Sequence, residues 1–80
     1  MITMDNLNVY PNPTKDIVTI KGSHINKIQL FDNMGKRVKE TKFHDATNPT
    51  ISLGKYATGV YRLLIQTEDG KVKNVNLFKD

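Results

Sequence analysis

The sequence predicts an all-β domain. Apolar and polar residues alternate in short runs, and glycine, proline, asparagine and aspartate separate these runs. No window carries an apolar period of about 3.6 residues over the length that a helix needs. About seven such runs in 80 residues favour an immunoglobulin-like β-sandwich of antiparallel strands.

The predicted strands are short and follow one another closely. They cover residues 7–10, 17–20, 25–31, 36–43, 50–53, 60–67 and 72–78. A chain of this length suits one domain with a thin core. We take residues 1–6 as a lead-in or linker remnant and residues 7–80 as the domain.

The first predicted strand ends at two prolines. Leu7 and Val9 share one of its faces, and Pro11 and Pro13 stop it because neither can donate a hydrogen bond to a ladder. The next run, 17–20, is rich in β-branched residues, which suit a pleated sheet.

The middle of the chain predicts a hairpin with a polar second strand. Run 25–31 alternates apolar and polar residues, and the polar stretch 32–35 supplies an asparagine and a glycine for a turn. Run 36–43 has few apolar residues and several lysines, as an edge strand should. Residues 44–49 are predicted to form a polar loop.

The strongest strand signal lies near the C-terminus. Run 60–67 has apolar residues on both faces, which predicts a central strand that is partly covered on both sides. The residues concerned are Tyr61, Leu63 and Ile65 on one face and Val60 and Leu64 on the other. Asp69-Gly70 is a hairpin signal, and the last run, 72–78, places Val75 and Leu77 inward.

Composition and charge narrow the possible functions. The absence of cysteine excludes disulfides and thiolate metal sites. The net charge is +4, yet the basic residues are spread singly and only Lys36 and Arg37 are adjacent. This spacing favours lysines that guard strand edges over a nucleic-acid surface. The longest apolar run, 63–65, is too short to cross a bilayer, so we expect no direct membrane insertion.

The sequence offers no catalytic or metal-binding constellation. His24 and His44 lie in polar stretches, and the neighbouring Ser23 would point in a different direction from His24 on a strand or turn. The loop residues Asp32 and Asp45 do not follow the spacing of a calcium loop. We therefore expect no enzyme activity and no cofactor.

Four segments nevertheless form a recognisable pattern. They are Val9-Tyr10-Pro11-Asn12-Pro13, the β-branched strand after it, the turn Asp32-Asn33-Met34-Gly35-Lys36, and the short strand Ile51-Ser52-Leu53 followed by Gly59-Val60-Tyr61, which opens a long strand. In this order and spacing the chain resembles the type A C-terminal sorting domain of the type IX secretion system, from about residue 7 to residue 79.

The resemblance implies a targeting signal rather than a catalytic activity. Such domains direct an N-terminal passenger from the periplasm across the outer membrane, where a sortase-like peptidase usually removes them, and the passenger is secreted or stays at the cell surface. The implied partners are the type IX secretion machinery, its peptidase and the passenger. The implied recognition residues are those of the last strand: Lys71, Val72, Lys73, Val75, Leu77, Phe78 and Lys79. The family commonly ends on lysine, whereas this chain adds Asp80.

The motif residues also have simpler, structural interpretations. Gly35 and Gly59 suit special backbone conformations, Tyr61 suits the core, and Pro11 and Pro13 suit an entry turn. For the last strand, core pairing and partner contact remain equally open. An unpaired strand edge could receive a partner strand or form a dimer, with exposed lysines at Lys71, Lys73 and Lys79 setting its orientation.

Two other functions remain possible from the residues alone. One is a sandwich module that binds carbohydrate or protein on a cell-surface enzyme, for which aromatic side chains aligned on one exposed face would be the signal. The absence of tryptophan weakens it. The other is a purely structural spacer, which would not need a basic C-terminal strand.

Overall fold

A computed structural model describes residues 7–80, and the lead-in predicted for residues 1–6 lies outside the described residues. The described part of the chain forms seven strands. They are β1 (Asn8–Tyr10), β2 (Ile17–Lys21), β3 (Ile25–Phe31), β4 (Arg37–Ala46), β5 (Thr50–Ser52), β6 (Gly59–Thr67) and β7 (Val72–Lys79).

The strands form two antiparallel sheets. One sheet has the order β1-β2-β5 and the other has the order β4-β3-β6-β7. The predicted sandwich of about seven antiparallel strands is confirmed. β6 is central, and β4 and β7 are the two edges of the larger sheet. The sheet order therefore puts the C-terminal strand on an edge, with β6 on one side of it.

The core lies between the two sheets and follows the predicted alternation. Every second side chain of β6 is buried from Tyr61 to Thr67, since successive residues of a strand point to opposite faces. In β3 the buried side chains are Ile25, Ile28 and Leu30, because a bulge between Ile25 and Lys27 interrupts the alternation. The buried apolar set is Leu7, Val9, Val18, Ile20, Ile25, Ile28, Leu30, Ile51, Leu53, Tyr61, Leu63, Ile65 and Leu77. Each such aliphatic side chain contributes about 1.5–3 kcal/mol of burial free energy.

One predicted loop is partly wrong. Residues 44–46 continue β4, because Ala46 pairs with Ile25 beyond a bulge in the ladder. The Asp45 N–H donates to Glu68 Oε1 at 2.9 Å, which satisfies a backbone donor in this polar stretch. On an edge strand one face and one edge meet solvent, so polar residues extend the strand without burying unpaired groups.

The prediction that both faces of β6 are partly covered is confirmed at Leu64 and wrong at Val60. Leu64 is half-buried by its neighbours, whereas Val60 is 46% exposed. Apolar side chains thus remain on the outer face of the larger sheet. Over residues 7–80 no helix is long and apolar enough to cross a membrane.

Candidate recognition surface

The C-terminal strand presents two different faces. β7 pairs with β6 from Gly59 opposite Lys79 to Gln66 opposite Val72. Leu77 is fully buried under this pairing, and Val75 packs against the core in part. The alternate residues point outward, and Phe78 is 46% exposed. The predicted recognition residues are therefore divided between core support and accessible surface.

The outer edge of β7 is occupied by residues from the Tyr-Pro-Asn-Pro segment. Asn12 Nδ2 donates to the Asn76 carbonyl at 2.9 Å, and Asn12 Oδ1 accepts from the Phe78 N–H at 2.9 Å. This side-chain amide thus takes the place of one peptide unit of a neighbouring strand. We call Asn12 and Thr14 the edge clamp, because both residues bind the outer edge of β7.

Thr14 continues the same pairing towards the C-terminus. Its N–H donates to the Phe78 carbonyl at 2.9 Å, and its own carbonyl accepts from the Asp80 N–H at 2.8 Å. The Thr14 side chain is buried, and its hydroxyl donates to the Ile17 carbonyl at 3.1 Å. The clamp therefore fixes the end of the chain to the beginning of the domain, including the terminal residue that departs from the family pattern.

The prolines shape the path to the clamp. Pro11 and Pro13 are exposed, and the bonds Tyr10-Pro11 and Asn12-Pro13 are both cis. Tyr10 pairs with Thr19 at the end of β1, so the chain leaves one sheet at Tyr10 and reaches the edge of the other within a few residues. The motif thus acts as a crossover between the two sheets, in line with the entry turn predicted for it.

The turn between β3 and β4 is held by Asp32. Its Oδ1 accepts from the N–H groups of Met34 and Lys36, each at 2.9 Å. The Gly35 N–H donates to the Asp32 carbonyl at 3.0 Å, and Gly35 has φ of +84°. Side chains with a Cβ rarely adopt this conformation. Asp32 and Gly35 therefore serve the backbone, while Lys36 is exposed.

The other motif segment opens β6 beside this turn. Tyr61 is buried, as predicted, and its hydroxyl donates to the Ala57 carbonyl at 2.6 Å. Its ring lies 6.2 Å from that of Tyr56 in a tilted arrangement. Gly59 has φ of +158°, close to extended backbone, and pairs with Lys79. Within the Gly59-Val60-Tyr61 segment, Val60 is the exposed residue.

Side chains from three strands meet on the outer face near the turn. Val60 lies opposite Phe78 on neighbouring strands, and Arg62 lies opposite both Phe31 and Asn76. The Arg62 guanidinium stacks 5.1 Å from the centre of the Phe31 ring. We call these five residues the outer-face patch. Beside it lies a groove of about 360 Å³ that the Asp32 turn also lines.

The lysines of the C-terminal region are not equally available. Lys73 Nζ donates to the Leu7 carbonyl at 3.0 Å and its side chain is half-buried, so the expectation that it is exposed is wrong. It reaches across the opening between the sheets to the start of the domain. Lys79 is also half-buried, and its Nζ donates to the Asp80 carbonyl at 3.0 Å. Lys71 is exposed beside Asp69, at 3.8 Å.

Two carboxyl groups have pKa values below their ordinary range. The hydrogen bond from the Thr67 hydroxyl, with smaller help from Lys71, lowers the pKa of Asp69. The hydrogen bond from the Gln29 amide, assisted by Arg37, lowers the pKa of Glu40. Partners in the same turn or on the neighbouring strand stabilise both groups as anions, so these pKa shifts have a structural cause.

The histidines do not form a reactive constellation. His24 Nδ1 lies 2.8 Å from Asp45 Oδ1, and both side chains are about half exposed. Within residues 7–80 no three His, Cys, Asp or Glu side chains are placed to hold a metal ion. The outer-face patch and the edge clamp therefore remain as the candidate functional features.

The comparison with known families assigns the domain. The model of the secretion system C-terminal sorting domain matches residues 8–77, nearly the whole described chain. The chain belongs to this family. The resemblance read from the motifs is thus confirmed, and the domain is a non-catalytic type IX sorting domain that marks its protein for export, to be secreted or displayed at the cell surface.

One curated relative is similar to the chain over most of the chain's length. The chain is 32% identical over 73 residues to the ulvan lyase NLR42 of Nonlabens ulvanivorans. The match covers 89% of this chain and 14% of that protein, so the chain spans a small part of its relative's length. No solved structure matches the chain.

Sequence reasoning found the motifs but missed how they meet. Asn12 and Asn76 are 64 positions apart, and no local signal links them. The roles of Thr14 and Arg62 were also missed. Phe31 could have been placed outward from its alternation with the buried Leu30.

Proposed function

We propose that this domain directs an N-terminal passenger from the periplasm across the outer membrane through the type IX secretion system, and that a sortase-like peptidase then removes it. The observation that carries the proposal is the family match, which runs from β1 into β7. The small share of the relative that aligns supports a passenger in the parent protein.

The fold supports recognition of a folded surface that includes β7. Leu77 and Val75 anchor the strand from below, and Phe78 and Val72 face outward. The predicted recognition set therefore acts in two ways, some residues by holding the strand and others by contacting the machinery. Lys71 is the most accessible of the three lysines, and its exposed ion pair with Asp69 leaves it able to orient the encounter.

The start of the domain indicates where a peptidase would act. Leu7 is buried, and its carbonyl accepts a hydrogen bond from the Lys73 ammonium group. A peptidase needs an accessible, extended segment, and backbone that is packed and hydrogen-bonded resists cleavage. We therefore expect cleavage on the N-terminal side of Leu7, with the domain released intact.

A secretion assay tests the proposal. The domain is placed behind a signal peptide and a fluorescent reporter in a bacterium with a working type IX system, and a second fusion lacks residues 72–80. We expect exported reporter with the full domain and periplasmic reporter without its last strand. The mass of the exported reporter then tests processing, since removal of the domain shortens it by the whole domain.

Retention of both fusions in the periplasm would contradict the sorting role. It would favour the alternative of a carbohydrate- or protein-binding module on a cell-surface enzyme. Export of an uncleaved reporter would support the sorting role and contradict removal of the domain by a peptidase.

A further inference from the structure

The C-terminal half of the β7 edge is unavailable to a partner strand. The carbonyl of Asn76, the N–H and carbonyl of Phe78 and the N–H of Asp80 point outward, and the edge clamp binds all four. By alternation, the outward groups that remain are those of Val72 and Asn74 and the N–H of Asn76. A strand added there would be confined to the first part of β7 and could not reach the Phe78 end, which the clamp occupies.

The outer face next to this closed edge is accessible and apolar. Val60 and Phe78 are each 46% exposed and lie opposite one another on β6 and β7. They pack side by side without a covering layer in the described part of the chain. Exposed apolar side chains that cluster beside a groove mark interaction sites more often than isolated ones do.

A cation without a carboxylate partner lies next to this apolar pair. The register aligns Arg37, Phe31, Arg62 and Asn76 in one row across the four strands. Arg37 binds Glu40 at 3.0 Å, whereas none of the ion pairs among residues 7–80 includes Arg62. The Arg62 guanidinium lies over the Phe31 ring, and the side chain is exposed, so its N–H groups are accessible to a carboxylate.

We propose that the secretion machinery reads the outer-face patch through a protein segment that brings a carboxylate to Arg62 and an apolar side chain to Val60 and Phe78, rather than through strand addition to β7. This inference rests on the proposed sorting function and names the surface and partner chemistry behind it. Arginine and aromatic residues at the centre of a patch typically carry most of the binding energy. The edge clamp then holds Asn76 and Phe78 in register within the patch.

Variants of the patch test the inference in the reporter assay. Arg62→Glu places like charges together, and we expect it to lower the exported fraction at least about tenfold, the effect of losing one charge-assisted contact. Arg62→Lys keeps the positive charge but lacks the planar guanidinium, so its exported fraction should fall between those of the wild type and Arg62→Glu. Phe78→Thr and Val60→Thr should each lower export while the thermal unfolding midpoint shows that the domain is folded.

Matched controls lie on the other sheet. Lys21→Glu repeats the charge reversal at an exposed position of β2, and Ile17→Thr repeats the polar substitution at a side chain that is 57% exposed. Both should export normally. Asn74→Pro removes an outward N–H from β7 without touching the patch and, provided that its thermal unfolding shows a folded domain, should also export normally.

The outcomes distinguish failure of the sorting function from failure of the patch. A wild-type domain that exports nothing contradicts the sorting function itself. A wild-type domain that exports while folded Arg62→Glu and Phe78→Thr export equally well overturns only the patch. If a folded Asn74→Pro loses export while the patch variants export normally, recognition by strand addition to β7 would replace recognition through the patch.

An anionic surface is the other binding partner that Arg62 could suit. The purified domain is mixed with vesicles of phosphatidylcholine alone and of phosphatidylcholine with phosphatidylglycerol. No retention by either vesicle supports a protein partner. Retention by the anionic vesicles that Arg62→Glu abolishes would overturn the proposed partner chemistry in favour of a membrane surface.

Discussion

Asn12→Ala is the substitution that most directly tests how the first motif and the last strand are connected. It removes both side-chain hydrogen bonds to β7, those to the Asn76 carbonyl and the Phe78 N–H. The backbone pairing of Thr14 with Phe78 and Asp80 does not depend on this side chain. We therefore expect the outer edge of β7 to open locally while the sandwich stays folded.

The size of the effect follows from the exposure of the two bonds. An intramolecular hydrogen bond contributes about 0.5–1.5 kcal/mol net, and water replaces the lost partner where the group is accessible. Both bonds are exposed, which places each near the lower part of this range. Together they contribute about 1–2 kcal/mol to the free energy of unfolding, and each kcal/mol shifts the midpoint by about 4–8 °C in a domain of this size.

Circular dichroism melts and amide hydrogen exchange measure the two expected consequences. The midpoint should fall for Asn12→Ala, less for Asn12→Asp, which keeps an acceptor for the Phe78 N–H, and hardly at all for Asn33→Ala at an exposed turn position. Exchange at Phe78 should accelerate more than exchange at Leu63 in the central strand. Equal protection of Phe78 in Asn12→Ala and wild type would refute the clamp.

Three further predictions concern single features of the fold. Gly35→Ala should lower the free energy of unfolding by about 1–2 kcal/mol in urea melts because its φ is +84°; Gly54→Ala would not share that cause. Tyr61→Phe should cost about 0.5–1.5 kcal/mol through the lost bond to Ala57, with the core otherwise retained. Asp69 is stabilised as an anion, so its contribution is present above its ordinary pKa and is lost as the pH falls through the lower pKa of the folded state. In Asp69→Asn the melting midpoint should therefore fall less steeply below about pH 4 than in the wild type. An equally steep fall in both proteins would contradict this assignment.

Local patterning was enough to predict most of the fold. Alternation alone put Leu63, Ile65 and Leu77 in the core and gave β3 its bounds, because a strand with one buried face must alternate. The lysine-rich β4 was correctly placed at an edge. Its extension through Ala46 was not visible, since an edge strand tolerates polar residues and so carries no apolar signal for its end.

The candidate surface depends on contacts that local patterns do not encode. Val60 was expected to be covered because an apolar residue on the second face of a strand usually indicates a second layer. Here it faces solvent beside Phe78, which is the position expected of a binding surface. The pairing of Asn12 with β7 likewise depends on the crossover between sheets, a long-range feature that neither segment specifies alone.

Transport of an unrelated passenger is the most direct test of the sorting role. A fluorescent reporter that carries a signal peptide and this domain is expressed in one host with a working type IX system and in a sister strain with that system inactivated. We predict that the reporter leaves the cell only in the first host and stays in the periplasm of the second. Export from both hosts, or from neither, would contradict the role of this domain as a type IX sorting signal.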